Sequence, residues 1–161
     1  MRRIIGIILT VVLLLMGMSV FTGCVQEAEA QEILWTITVE KEGGSSVEFT
    51  NVDAANIDMV VVETVKEKKD GSKTDQSWEG LSVAEVLKAA GFDDYAVVVI
   101  EAADGYSKEF DKAAIDDSGT IFGLKLDGED IDEEDGPMQL VVSSMSGTFW
   151  IKNVAKIIII E

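Results

Sequence analysis

Residues 78–106, WEGLSVAEVLKAAGFDDYAVVVIEAADGY, constrain the fold more than any other part of the chain. They carry complete local instructions for a helix, a turn, a strand and a loop. Ser82 followed by Glu85 has the S-x-x-E spacing of a capping box, in which two orphan backbone donors are satisfied reciprocally. Leu81 and Val86 occupy the two positions of a hydrophobic staple. At the far end Gly91 supplies the left-handed residue of a Schellman stop, and Phe92 can pack back on Leu87. A helix is therefore expected over residues 83–90. Residues 96–103 follow as a β-branched, almost wholly apolar run, expected to be a strand covered on both faces. Asp104, Gly105 and Tyr106 break it.

The N-terminal region reads as targeting rather than fold. Arg2 and Arg3 precede an uncharged apolar run over residues 4–21, the pattern of an export signal and close to the short limit for spanning a bilayer. Phe21, Thr22, Gly23 and Cys24 resemble the lipobox of prokaryotic lipoproteins, with phenylalanine where leucine is usual. In that motif small residues precede a cysteine that is acylated and becomes the mature N-terminus. Residues 1–23 are thus expected to be a lipoprotein-type signal peptide, 24–32 a polar tether and 33–161 a single domain. The domain is expected outside the cytoplasm, held at the membrane through a lipidated Cys24.

Residue types narrow the chemistry. Cys24 is the only cysteine, which excludes an intrachain disulfide and a cysteine-based metal cluster. The chain has no histidine, so a Ser-His-Asp triad and a histidine zinc site are excluded too. The formal charge is −17, and Arg2 and Arg3 are the only arginines. Nucleic acid is set aside as a partner, because phosphate neutralisation requires Lys and Arg. The acidity suits solubility at a cell surface.

Along the domain, ILWTITVE at 33–40 and residues 47–50 are expected to pair as a hairpin across GGSS. Residues 51–57 suit one helical turn, and 59–65 a strand. KEKKDGSKTDQS at 66–77 has Asp70-Gly71 at its centre and reads as either a hairpin turn or a mobile loop. Its Lys66, Lys68, Lys69 and Lys73 are the one basic patch, read as a solvated loop with an anion or partner contact as the alternative. A strand at 107–110, a short helix at 111–116 capped by Asp111, and strands at 120–126, 138–143 and 157–160 complete the reading, with Asp127-Gly128 as a turn. Many short strands and a few short helices point to an α+β domain with mixed or antiparallel sheets.

The order of these markers resembles a known family. Trp78-x-Gly80-Leu81, Val86-Leu87, Ala90-Gly91, Ala103-Asp104-Gly105-Tyr106, Leu126-x-Gly128-Glu129, Gly136-Pro137 with Leu140-Val141-Val142, and Trp150-Ile151-Lys152 together are similar to the oxidoreductase molybdopterin-binding domain. The resemblance implies a sulfite-oxidase-like fold of mixed β-sheets with a few short helices. In that family's enzymes one cysteine thiolate upstream of the W-x-G-x-x-L segment holds a pterin-bound molybdenum. Arginines, with some histidines, hold the cofactor and bind oxyanion substrates. Residues 60–77 here contain no cysteine, and the domain contains no arginine or histidine. Fold alone carries no activity, so no catalytic residue, metal site or cofactor is expected. A redox enzyme that binds molybdopterin without a protein thiolate is the alternative.

The resemblance also implies that Trp78, Asp104, Gly105, Tyr106, Trp150 and Lys152 surround a candidate ligand pocket, the family's cofactor neighbourhood left vacant. Against this stands the reading of the aromatics as core and turn anchors, and of Asp104 as folded onto its own turn. DGEDIDEED at 127–135 lacks the register of an EF-hand and reads as a solvated acidic loop. The expected function is a binding module for a small ligand or an envelope protein. An acidic protein-interaction module is a further alternative.

Overall fold

A computed structural model describes residues 31–161. The apolar run after Arg3, the expected signal peptide, Cys24 and the tether up to residue 30 lie outside the described residues. Ten strands, two short α-helices and three 3-10 turns follow one another in the described part. No helix among the described residues is long and apolar enough to cross a membrane.

The first sheet has the order β2-β1-β10-β5-β6. β1 (Thr36–Lys41) and β2 (Ser46–Thr50) form the expected hairpin. β1 pairs parallel with β10 (Val154–Ile160), setting Thr38 opposite Lys156, and this makes the sheet mixed. β5 (Val97–Ala102) pairs antiparallel with both β10 and β6 (Ser107–Asp111). The expectation that the run 96–103 is covered on both faces is corrected. Val98, Ile100 and Ala102 are buried, whereas Val97, Val99 and Glu101 on the other face are only half-buried. A Val or Ile side chain fully buried in this way stabilises by about 1.5–3 kcal/mol.

The second sheet has the order β3-β4-β7-β8, with β9 also pairing β7. β3 (Met59–Glu67) and β4 (Lys73–Ser82) form a hairpin, so the polar segment 66–77 is a turn flanked by strand, not a mobile loop. β4 carries no strand signal in the sequence, because its first half, Lys-Thr-Asp-Gln-Ser, is polar and has no buried face. Its pairing with β3 on one side and β7 (Thr120–Leu126) on the other makes it a strand. Asp127 (φ 53°) and Gly128 (φ 87°) turn β7 into β8 (Glu129–Asp130), the two positive φ values of a tight hairpin.

α1 (Val83–Ala89) stops as its sequence specifies. The Phe92 N–H donates to Leu87 O at 2.8 Å and the Gly91 N–H to Lys88 O at 3.0 Å, with Gly91 at φ 89°. Its start differs from expectation. Ser82 makes no side-chain capping bond, and Glu85 pairs with Lys88 at 3.6 Å instead. Ser82 is the last residue of β4 and is paired with Ile121, so the ladder rather than the helix sets its direction. α2 (Lys112–Ile115) does have its expected cap, Asp111 Oδ1 accepting from the Ala114 N–H at 2.8 Å.

One core joins both sheets, from Ile37 and Ile157 in the first to Trp78 and Phe122 in the second. β9 (Gln139–Val142), buried throughout, stitches them together. It pairs with β7, bridges from Leu140 to Ile151, and is continued by the Val154 N–H donating to Met138 O at 3.2 Å.

Candidate functional site

Trp78 and Trp150 are brought together by different routes. Trp78 is the middle of β4, and its indole covers Gly123 on β7, where a methyl group would lie 2.4 Å from the ring. Trp150 follows the 3-10 turn Gly147–Phe149 between β9 and β10, and its indole N–H donates to Val142 O at 3.0 Å. The two rings meet edge to face with centroids 6.0 Å apart, an arrangement favoured by the ring quadrupoles. Both tryptophans are buried. The pair forms a packed floor rather than the walls of an open cleft.

Tyr106 lies elsewhere on the same end of the fold and is 47% exposed. Asp104 and Gly105 shape the β5–β6 turn that presents it. Asp104 Oδ1 accepts from the Tyr106 N–H at 2.9 Å, and Gly105 adopts φ 86°. Asp104 therefore folds onto its own turn, the simpler of its two readings. Lys152 is ion-paired with Asp135 at the surface.

Three residues outside the expected set complete the cluster. Lys66 of β3 places its ammonium 5.3 Å from the Trp150 ring centroid, and Gly147 leaves room for its stem, since a methyl group there would meet Lys66 Cγ at 2.9 Å. Lys108 of β6 stands 5.5 Å from the Tyr106 ring and 4.7 Å from that of Phe149. The 3-10 turn thus bridges the β3 edge of one sheet and the β6 edge of the other, with a lysine on an aromatic face at each end. Burial, and then repulsion from Lys152, hold the Lys66 ammonium below the usual lysine pKa, with Asp135 acting in the opposite direction. Lys66 was visible in the sequence as part of the basic patch. Lys108 carried no local signal, because only the fold brings it to Phe149.

Other hollows lie away from this cluster. A cavity of about 610 Å³ is lined by Asp53, Asn56, Asp58, Ser82, Glu85 and Lys88 among others, and another of about 340 Å³ by Leu34, Met59, Leu124, Ile131 and Pro137 among others. Neither includes any of the six candidate pocket residues. Among the described residues no group of three or more His, Cys, Asp or Glu is arranged to hold a metal ion, and the 127–135 loop is no exception.

The family described as oxidoreductase molybdopterin binding domain matches residues 25–161. No curated protein matches the chain. Among solved structures, the sulfane dehydrogenase SoxCD from Paracoccus pantotrophus superposes with a TM-score of 0.69 at 18% identity, over 82% of this chain and 39% of that one. At that identity the likeness shows the fold, which is sulfite-oxidase-like, with mixed sheets and few short helices. The chain spans well under half the length of that neighbour.

The residues present do not fit a thiolate-held molybdenum. The segment upstream of Trp78 is the β3–β4 hairpin, which contains no cysteine, and Cys24 is the only one in the sequence. The cation over Trp150 is Lys66, and Lys152, which acts on Lys66, is already paired with Asp135. An ammonium also lacks the planar fork with which arginine clasps a phosphate.

Proposed function

Because the chain belongs to the oxidoreductase molybdopterin-binding domain family, we propose that it uses that family's fold as a binding module for a small anionic ligand. In this reading it is held outside the cytoplasm by a lipid on Cys24 and does not perform the family's redox chemistry. The observation that carries the reading is the set of lysines seated on aromatic faces, Lys66 on Trp150 and Lys108 on Tyr106 and Phe149. The chain is otherwise dominated by acids. Lys66 has given up part of its hydration and faces a second cation in Lys152, so a carboxylate or oxyanion beside it restores lost stabilisation. The exposed rings of Tyr106 and Phe149 offer the apolar contact. The surrounding acidic field repels anions in general, so only one in direct contact with a lysine is favoured.

The module reading is tested by calorimetry on the purified chain with sulfate, phosphate and benzoate as probes. Saturable binding of at least one probe is expected, weakened by added salt and lost in Lys66→Met and Lys108→Met. No binding at millimolar concentrations, or binding indifferent to both substitutions, overturns it.

The competing reading is a redox enzyme that carries molybdopterin without a protein thiolate. Elemental analysis separates the two: stoichiometric molybdenum with a releasable pterin establishes the competitor, and its absence from protein produced in a molybdopterin-competent host supports the module. The anchor has its own test. Cys24→Ser should release the protein from the detergent phase and change the mass of its N-terminal segment. Continued partition into detergent at unchanged mass removes the lipid from the proposal.

A further inference from the structure

The second sheet ends on β3, and the outer edge of that strand is open from Val61 to Val65, short of Glu67 where the turn at Gly147 approaches. At its turn the Gly71 N–H donates to Lys68 O and the Lys68 N–H to Ser72 O, both at 2.9 Å, with Gly71 at φ 81°. This closing pair sets the phase of the ladder. The backbone groups of Val60, Val62, Thr64 and Lys66 face β4, and those of Val61, Glu63 and Val65 face outward. Among the described residues, none of the outward N–H or C=O groups of these three has a hydrogen-bond partner, and β3 pairs with no strand but β4.

The same residues carry exposed side chains. Val61 is 65% exposed, Val65 48% and Met59 41%, although apolar residues in a strand normally seek cover. Proteins commonly blunt such an edge with proline, a bulge or outward lysines. Here Met59–Glu67 has no proline or glycine and no bulge against β4, and its one lysine, Lys66, lies on the other face over Trp150.

We propose that β3 is a docking edge that accepts an extended, cationic segment of a partner protein as an additional strand. Charge selects this occupant. On the exposed face Glu63 stands between the two valines, and Asp75 and Glu79 face the valines from β4. Two lysines share this face, Lys73, engaged with Glu67 at 3.3 Å, and Lys125 of β7, opposite Glu79, so Glu63 and Asp75 are the acids left for a cationic strand. A second copy would bring the same acids to the seam along with its own −17, and like charges directly opposite destabilise a pair. A segment with apolar side chains opposite Val61 and Val65 and a lysine opposite Glu63 satisfies both the open backbone groups and the acids. This surface is distinct from the lysine–aromatic cluster, and the inference stands without the ligand reading.

The test uses the full chain in detergent micelles and an acetylated, amidated peptide, Val-Thr-Lys-Thr-Val-Thr-Lys, with a control in which glutamate replaces both lysines. The lysine peptide should slow amide exchange at Val61, Glu63 and Val65 by at least about tenfold, bind more weakly as salt rises, and leave the amides of β6 unaffected. Val61→Lys and Val65→Lys change exposed side chains, so circular dichroism should report an intact fold while affinity falls by about tenfold or more. The proposal fails if exchange is unchanged, if the glutamate peptide protects equally, or if both variants bind as the parent does. It also fails if the chain alone sediments as a dimer that Val61→Lys dissociates, since β3 then pairs with a second copy.

Discussion

Replacing Gly80 with alanine should be among the most damaging single-methyl additions this fold can receive. Gly80 sits where β4 passes β7, beside the register shift between Glu79 and Gly80. A methyl group there would lie 2.0 Å from the Phe122 carbonyl oxygen, 2.7 Å from its carbon and 2.8 Å from Gly123 Cα. All three are backbone atoms, so no side chain can swing away, and the strands must separate by more than an ångström to reach contact distance. Overpacking of this kind costs about 1–3 kcal/mol. Loss of two ladder hydrogen bonds next to the Gly80–Gly123 and Leu81–Phe122 pairs costs about 1–3 kcal/mol more. The expected loss is therefore about 2–6 kcal/mol, out of a total stability of about 5–15 kcal/mol for an ordinary domain. Gly71→Ala is the control. Gly71 has nothing within 4 Å of the added methyl, and its φ of 81° leaves only the backbone penalty, about 1–2 kcal/mol. Urea unfolding followed by tryptophan fluorescence should place the Gly80→Ala midpoint well below that of Gly71→Ala, by about 1–2 M for a typical slope. Equal midpoints would mean that β4 and β7 do not approach as described, and the reasoning would be wrong.

Trp150→Phe should cost about 1–3 kcal/mol in the same assay, because it strips the buried indole donor from Val142 O and shrinks the edge-to-face contact with Trp78. An unchanged midpoint would show that neither contact contributes. Lys66→Met should raise stability at neutral pH. The folded state holds this lysine's pKa below its ordinary value, so the unfolded chain binds the proton more tightly and parent stability rises as pH climbs through the folded pKa toward the unfolded one. A parent stability that is flat or falling across that alkaline window contradicts the assignment. Asp53 and Asp70 give a slope of the same sign but in the acid range, because their pKa values are also lowered on folding. Hydrogen bonds from Thr50 and from Ser72 lower their pKa values below 3.8, so their contribution is present above the unfolded value and fades as pH falls through the folded one, below about pH 4. NMR titration of Thr50→Ala should return Asp53 toward the ordinary carboxylate value while leaving Asp70 in place.

Sequence legibility followed the range of the interaction. The Gly91 stop, the Asp111 cap and the Asp127-Gly128 turn were readable because each is completed within five residues by backbone geometry that few side chains permit. Ser82 shows the limit of that logic. Its motif was complete, yet membership of β4 overrode it. Of the candidate pocket, the Asp104-Gly105 turn was legible for the same local reason, and the ion pair between Lys152 and Asp135 was not, since nothing near Lys152 in sequence announces its partner.

What the chain specified by itself was a set of short strands, their turns, and a chemistry without histidine, with Cys24 as its one cysteine and with every cation after residue 3 a lysine. Which strands pair, and therefore which side chains meet, was decided by tertiary structure. The parallel pairing of β1 with β10 sets Thr38 beside Lys156 from opposite ends of the domain. Trp78 meets Trp150, and Lys108 meets Phe149, only once both sheets close on the turn between β9 and β10. The physical reason is that a cap or a turn is settled by neighbouring dihedral angles. A contact across the core depends instead on the register of every strand between its partners, and no window of sequence contains that information.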